Sequence, residues 1–289
     1  MLSAKRPILA VRISIVLTGA LLIWLGVISV TQRLFGEEMS FHAHATNAVG
    51  VFVLAVPLVV AARRYLDRRT WSGLGVTSLR QGWLSFWGGV VTWLLPASIG
   101  LAVCVASGWV EISLHSPAMQ LLGAVLLLTV LVLVYEAFPE EAIFRGYVYR
   151  NLSAVTAPWI AIIGQAILFA IWGTTLWVVL NGWGVLAERL ILFFAMAVVI
   201  GCIRAISENI WACVGFHVAF QVFMQLMLGD FYVQLEISNQ QALILATAGV
   251  AFTFATTVAG FIWRGPTNWK HAEPDPPQLE NAAGMQSER

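Results

Sequence analysis

Apolar segments of about 18 to 24 residues recur along this chain, each long enough to carry a helix across a bilayer core of roughly 30 Å. They fall at roughly residues 13–30, 48–62, 83–106, 117–135, 158–180, 185–203, 210–228 and 242–262, the second and sixth being short or flanked by charge. A soluble domain carries about 25% charged residues. Here only 11% are charged and 59% are hydrophobic, more apolar surface than a water-soluble fold hides. The pattern predicts an all-α fold, a polytopic membrane bundle of about eight transmembrane helices over residues 1–269. Lipid is its solvent, and no composition shift marks a separate soluble domain.

The first segment has a basic start like that of a secretory signal. It runs on to Val30 without a small-residue cleavage pattern, and is read as a retained first helix. Eight spans put both termini on one side. With the N-terminus inside, the cytoplasmic segments hold Lys5, Arg6, Arg12, Arg63, Arg64, Arg68, Arg69, Arg80, Arg145, Arg150, Arg204, Arg264, Lys270 and Arg289, against Arg33 and Arg189 outside. That asymmetry follows the positive-inside rule. Both termini are therefore expected in the cytoplasm and the protein in the cell (plasma) membrane. Residues 270–289, rich in Pro and charge at their start, are expected to be a disordered cytoplasmic tail. A net charge of +1 spread over short connections offers nothing to nucleic acid. Cys104, Cys202 and Cys213 lie inside apolar runs and read as small buried hydrophobes.

Ionisable side chains are costly at membrane depth, so those at or near the ends of apolar spans need a partner or a purpose. They concentrate after the fourth span, where Glu136, Glu140, Glu141 and Arg145 occur within ten residues. Pro139 suits the first turn of a new helix, which would place Glu140 and Glu141 at its positive end. Arg145 follows Glu141 by four residues and shares its face, so an ion pair is expected there. Glu140, about 100° around the helix, is left to point elsewhere. A partly desolvated carboxylate of that kind suits a general base acting on water. The plainer alternative is a set of solvated charges marking the membrane boundary, with Arg145 snorkelling.

A second polar set weakens that alternative. In the seventh span Cys213, His217, Gln221 and Gln225 recur every four residues and form one polar stripe on an otherwise apolar helix. The stripe is expected to face the bundle interior, where a His or Gln also serves simply to hold helices together.

Together these stretches resemble the CAAX-processing and bacteriocin-processing (Abi) family of intramembrane proteases. Glu140-Glu141-x-x-x-Arg145-Gly146 is similar to its paired-glutamate motif in full. Trp211-x-x-x-Gly215-x-His217 resembles another, with Gln221 where the family usually has Asn or Asp. The family's middle pattern, Phe-x-x-x-His, aligns with Phe169-Ala170-Ile171-Trp172-Gly173, so Gly173 replaces a histidine.

The resemblance implies an endopeptidase in which Glu140 activates the attacking water, Glu141 and Arg145 support it, and His217 with Gln221 steadies the oxyanion. Phe169 and Gly173 would border the substrate, the glycine leaving a gap beside Trp172. The partner would be a peptide or membrane-protein substrate. Zinc is the cofactor the resemblance raises, with Glu140 and His217 as the available donors. A hydrolytic zinc site takes three protein ligands and Gly173 removes one, so no tightly bound metal is expected. Two other functions stay open: a catalytically lapsed relative acting as a binding, scaffold or immunity protein, and a transporter using Glu136, Glu140 or His217 as proton carriers.

Overall fold

A computed structural model describes residues 6–38, 40–229 and 231–275. Among them are eight helices long and apolar enough to cross a membrane. We label them α1 (Leu9–Phe35), α2 (Phe41–Leu66), α3 (Leu79–Ala106), α4 (Ala118–Ser153), α5 (Pro158–Asn181), α6 (Leu186–Ser207), α7 (Ile210–Leu228) and α8 (Gln240–Ile262). Large apolar side chains including Leu22, Val53, Leu84, Ile99, Leu126, Ile167, Ile191 and Phe254 point outward, as lipid-facing surfaces require. The protein is an all-α polytopic membrane bundle.

The fourth span departs most from expectation. Instead of ending near Tyr135 and restarting at Pro139, α4 runs unbroken through the proline to Ser153. A proline inside a helix has no N–H to donate and its ring crowds the carbonyl one turn back. Here the turn before it, Leu133–Ala137, is a wider π-helical one in which the Phe138 amide reaches back to the Leu133 carbonyl, so the backbone makes room. A second π-helical segment follows at Ala142–Val148. Glu140 and Glu141 are thus mid-helix residues, without the helix-end field foreseen for them. Such wide turns inside helices often accompany functional sites.

The helix bearing His217 is held by the closest packing in the bundle. A side chain at Gly89 of α3 would collide with the Ala212 carbonyl of α7, and one at Gly215 of α7 would collide with the Phe86 carbonyl of α3. Only glycine lets two backbones come so near, the small-residue packing that substitutes for a hydrophobic driving force in lipid. At the start of α7 the Asn209 side chain accepts from the Trp211 amide at 2.9 Å, and the Trp211 indole donates to the Thr77 carbonyl at 2.9 Å. These contacts set the height and rotation of α7.

One end of the bundle gathers basic residues. Asp67, after α2, is buried there among Arg12, Arg63, the Tyr147 hydroxyl at 3.1 Å and the Asn151 amide at 2.8 Å. The tail was expected to be disordered from residue 270, yet Asp275 lies between Arg63 at 2.8 Å and Arg150 at 2.7 Å. The Glu273 amide also donates to the Ser153 carbonyl at 2.8 Å. Two buried or nearly buried guanidinium groups that need an anion account for this docking. Residues 276–289, the remainder of that tail, lie outside the described residues. At the opposite end, Ile112–Leu114 and Leu235–Ile237 form a short antiparallel strand pair that ties two connections together.

Candidate active site

Along α4 the side chains of Glu136 and Glu140 project from successive turns, and Glu141 and Arg145 do the same one step round the helix. Glu141 and Arg145 are completely buried, and the Arg145 Nη1 donates to Glu141 Oε1 at 3.1 Å. The guanidinium lies over the Phe169 ring, its central carbon 4.7 Å from the centroid. That ring is itself fixed edge-on against Phe144 at 4.8 Å. Phe169 therefore packs beneath the ion pair.

His217 arrives from α7. Its Nδ1 is 2.8 Å from the same Glu141 oxygen, Oε1. A carboxylate only accepts, so this contact assigns the Nδ1 proton to the imidazole and turns Nε2 toward the other side. There it faces Glu140, with Nε2 4.0 Å from Oε2. Glu140 differs from its neighbour in exposure, its side chain being 13% exposed against 0% for Glu141. Four of the residues singled out from sequence, Glu140, Glu141, Arg145 and His217, thus meet in one place, contributed by two helices. Counting turns along α4 from Asn151, which sits in the basic-end cluster, the site is roughly 15 Å below that end.

Gln221 and Gln225 continue the stripe away from His217, and both face Glu136. Gln225 Nε2 donates to Glu136 Oε1 at 2.9 Å. Gln221 is thus placed beside Glu136, one turn from His217. Cys213, the stripe's other end, points its thiol at the Ile200 carbonyl, 3.7 Å away, and is inert filler.

Gly173 carries no gap. A Cβ built there would meet the Phe193 ring of α6 at 2.9 and 3.1 Å, so that ring occupies the space a side chain at 173 would need. Trp172 is likewise enclosed, between Trp24 at 5.2 Å and Phe144 at 5.5 Å between ring centroids. A missing side chain on α5 implies an opening in sequence, but the fold sets the Phe193 ring of α6 into that space.

These features single out the segment between mid-α4 and late α7, and comparison with known families picks out the same segment. Residues 122–223 match the type II CAAX prenyl endopeptidase Rce1-like family. The match contains the Glu140-Glu141-x-x-x-Arg145 motif and His217, and it bears out the resemblance drawn from them. No curated protein and no solved structure matches the chain. Within the Rce1-like segment, the donor set does not fit a zinc ion: Glu141 is engaged by Arg145 and by His217 Nδ1, which leaves Glu140 and His217 Nε2 where three ligands are needed. Among the described residues no group of three His, Cys, Asp or Glu side chains has a metal-holding arrangement.

Glu136, which lies outside the paired-glutamate motif, gains its place from Gln225 on α7. The signal was present, since it precedes Glu140 by the same four-residue step that joins Glu141 to Arg145.

Proposed function

We propose that this membrane protein is an intramembrane endopeptidase that hydrolyses a peptide bond by general-base attack of water. The supporting observation is the approach of His217 Nε2 to Glu140 Oε2 at 4.0 Å from a separate helix, with Nδ1 already committed to Glu141. Glu140 takes a proton from the water as its oxygen bonds to the peptide carbonyl carbon. The imidazolium form of His217 donates through Nε2 to the oxygen that gains charge, and Gln221 offers a side-chain N–H nearby. Collapse of the tetrahedral species breaks the C–N bond, and the amine leaves with a proton from a carboxyl group. Substrates are membrane-associated peptides of the prenylated CAAX type or the ends of membrane proteins, reaching the site from the cytoplasmic, basic end.

The test is cleavage by the full chain reconstituted in lipid vesicles, using internally quenched peptides with a prenylated Cys-aliphatic-aliphatic-X end. Glu140→Gln is expected to lower kcat by about 10²- to 10⁴-fold. Equal rates for the native protein and this variant would remove Glu140 from the chemistry.

One observation favours a second reading, a lapsed relative that binds a peptide or membrane protein without cutting it. The position where the family pattern has His is Gly173, and the Phe193 ring fills its side-chain space. Tight, saturable binding of the same peptides with no turnover over days would favour this reading.

A further inference from the structure

We propose that Glu136 is a second proton-carrying carboxyl of the site, forming with Glu140 an acid–base pair that delivers the proton required by the leaving amine. This rests on the hydrolase reading and extends it to a residue outside the matching motif.

The placement comes from the backbone. Glu136 lies in the π-helical turn Leu133–Ala137, four residues before Glu140 on the same face of α4, and the two carboxyl groups are close enough to interact electrostatically. Both are only partly buried, unlike Glu141. Across from them stands the polar stripe of α7: Gln225 donates to Glu136 at 2.9 Å, Gln221 faces the same carboxyl, and His217 lies within electrostatic reach of all three glutamates. From α2, the His44 ring lies 5.8 Å from Tyr135 and its Nδ1 is 2.8 Å from the Tyr232 hydroxyl.

Charge balance gives this arrangement its chemistry. Glu136, Glu140 and Glu141 face one fixed cation, Arg145, and a buried charge left uncompensated in lipid is expensive. Neutrality needs two protons among Glu136, Glu140 and His217. His217, donating to Glu141, takes one, and the other lies on the Glu136–Glu140 pair. Like-charged carboxyls in close proximity share a proton for the same reason in the aspartic proteases. The amide of Gln225 fixes Glu136 Oε1 as an acceptor, which leaves Oε2 to bear the hydrogen.

During hydrolysis the ionised member, Glu140, accepts a proton as the water oxygen bonds to carbon. Glu136 gives its proton to nitrogen as the C–N electron pair leaves, and the proton on Glu140 then passes to Glu136. One water is consumed, and both carboxyls return to their starting forms.

The experiment uses the full chain in vesicles with the quenched prenylated peptide, comparing the native protein with Glu136→Gln and Gln225→Leu, and adds an infrared measurement of the protonated-carboxyl C=O stretch. Glu136→Gln is expected to reduce kcat by about 10²-fold or more with KM changed little, and to remove one limb of a bell-shaped pH–rate profile. Gln225→Leu is expected to keep that limb but shift it. Native cleavage that persists undiminished in Glu136→Gln overturns the proposal while leaving Glu140 and the hydrolase reading intact. If the native chain cleaves nothing, the hydrolase reading fails, and the infrared band decides the rest. A band abolished by Glu136→Gln and by Glu140→Gln supports the shared proton, and a native protein without one overturns it.

Discussion

His217 Nδ1 and Arg145 Nη1 converge on a single oxygen, Oε1 of Glu141, at 2.8 and 3.1 Å. One atom therefore couples the imidazole on α7 to the guanidinium on α4. The other carboxylate oxygen, Oε2, has no partner among the described residues, nor do Arg145 Nε and Nη2. The contact is economical and unbuffered, so loss of Glu141 strands both of its partners.

Glu141→Gln is accordingly expected to destabilise the bundle by about 3–5 kcal/mol, the usual result of leaving one charge of a buried pair alone. Thermal unfolding in detergent would register it. Glu141→Gln combined with Arg145→Met is expected to recover much of the loss, because no unpaired charge remains, but not the activity, because a neutral amide oxygen no longer favours the imidazolium form of His217. Equal stability of the single variant and the native protein would contradict the burial argument.

A second expectation concerns Gly173. Phe193 leaves a Cβ there only 2.9 Å of clearance, so Gly173→His should cost about 1–3 kcal/mol through overpacking. Adding Phe193→Ala should relieve most of that cost and present an imidazole toward α6. Thermal stability of the two variants checks the packing. Peptide cleavage by the double variant then reports whether an added imidazole raises the rate, as the lapsed reading requires.

The docked tail supplies a pH-dependent prediction. Burial would push the Asp275 carboxyl up, but Arg63 and Arg150 beside it hold it below the usual carboxylate range. A carboxyl lowered in the folded state contributes its stabilisation in full above its unfolded value of about 4, and loses it as pH falls through the lowered value. Slow hydrogen exchange of the Glu273 amide, which donates to Ser153, should therefore persist from neutral pH to below about pH 4. Asp275→Asn should accelerate that exchange already at neutral pH.

Much of this was legible because it depends on helical repeat alone. Four-residue spacing paired Glu141 with Arg145 and aligned His217 with Gln221 and Gln225, and long apolar runs marked the spans. What escaped depends on deviations from that repeat or on distant partners. Pro139 signalled a helix start, yet the π-helical turn before it lets the helix continue, and no local propensity announces such a turn. The consequence of Gly173 depends on Phe193, a residue of another helix. Nothing local to Asp67 or Asp275 announces that Arg12, Arg63 and Arg150 gather about them. Such encounters are tertiary and have no periodic signature.

The glycine contacts between α3 and α7 also fix one flank of the carboxylate site. With Gly89 against the Ala212 backbone and Gly215 against the Phe86 backbone, those two helices act as a single rigid wall, and prising them apart would strip contacts along both. Helix α2 meets α4 through the Phe52–Phe138 and His44–Tyr135 rings, 5.8 Å apart in each case. On that side rings, not backbones, make the contact, and His44 Nδ1 also lies 2.8 Å from the Tyr232 hydroxyl, so truncating a ring of α2 removes packing without the backbone collision that pins α3 to α7.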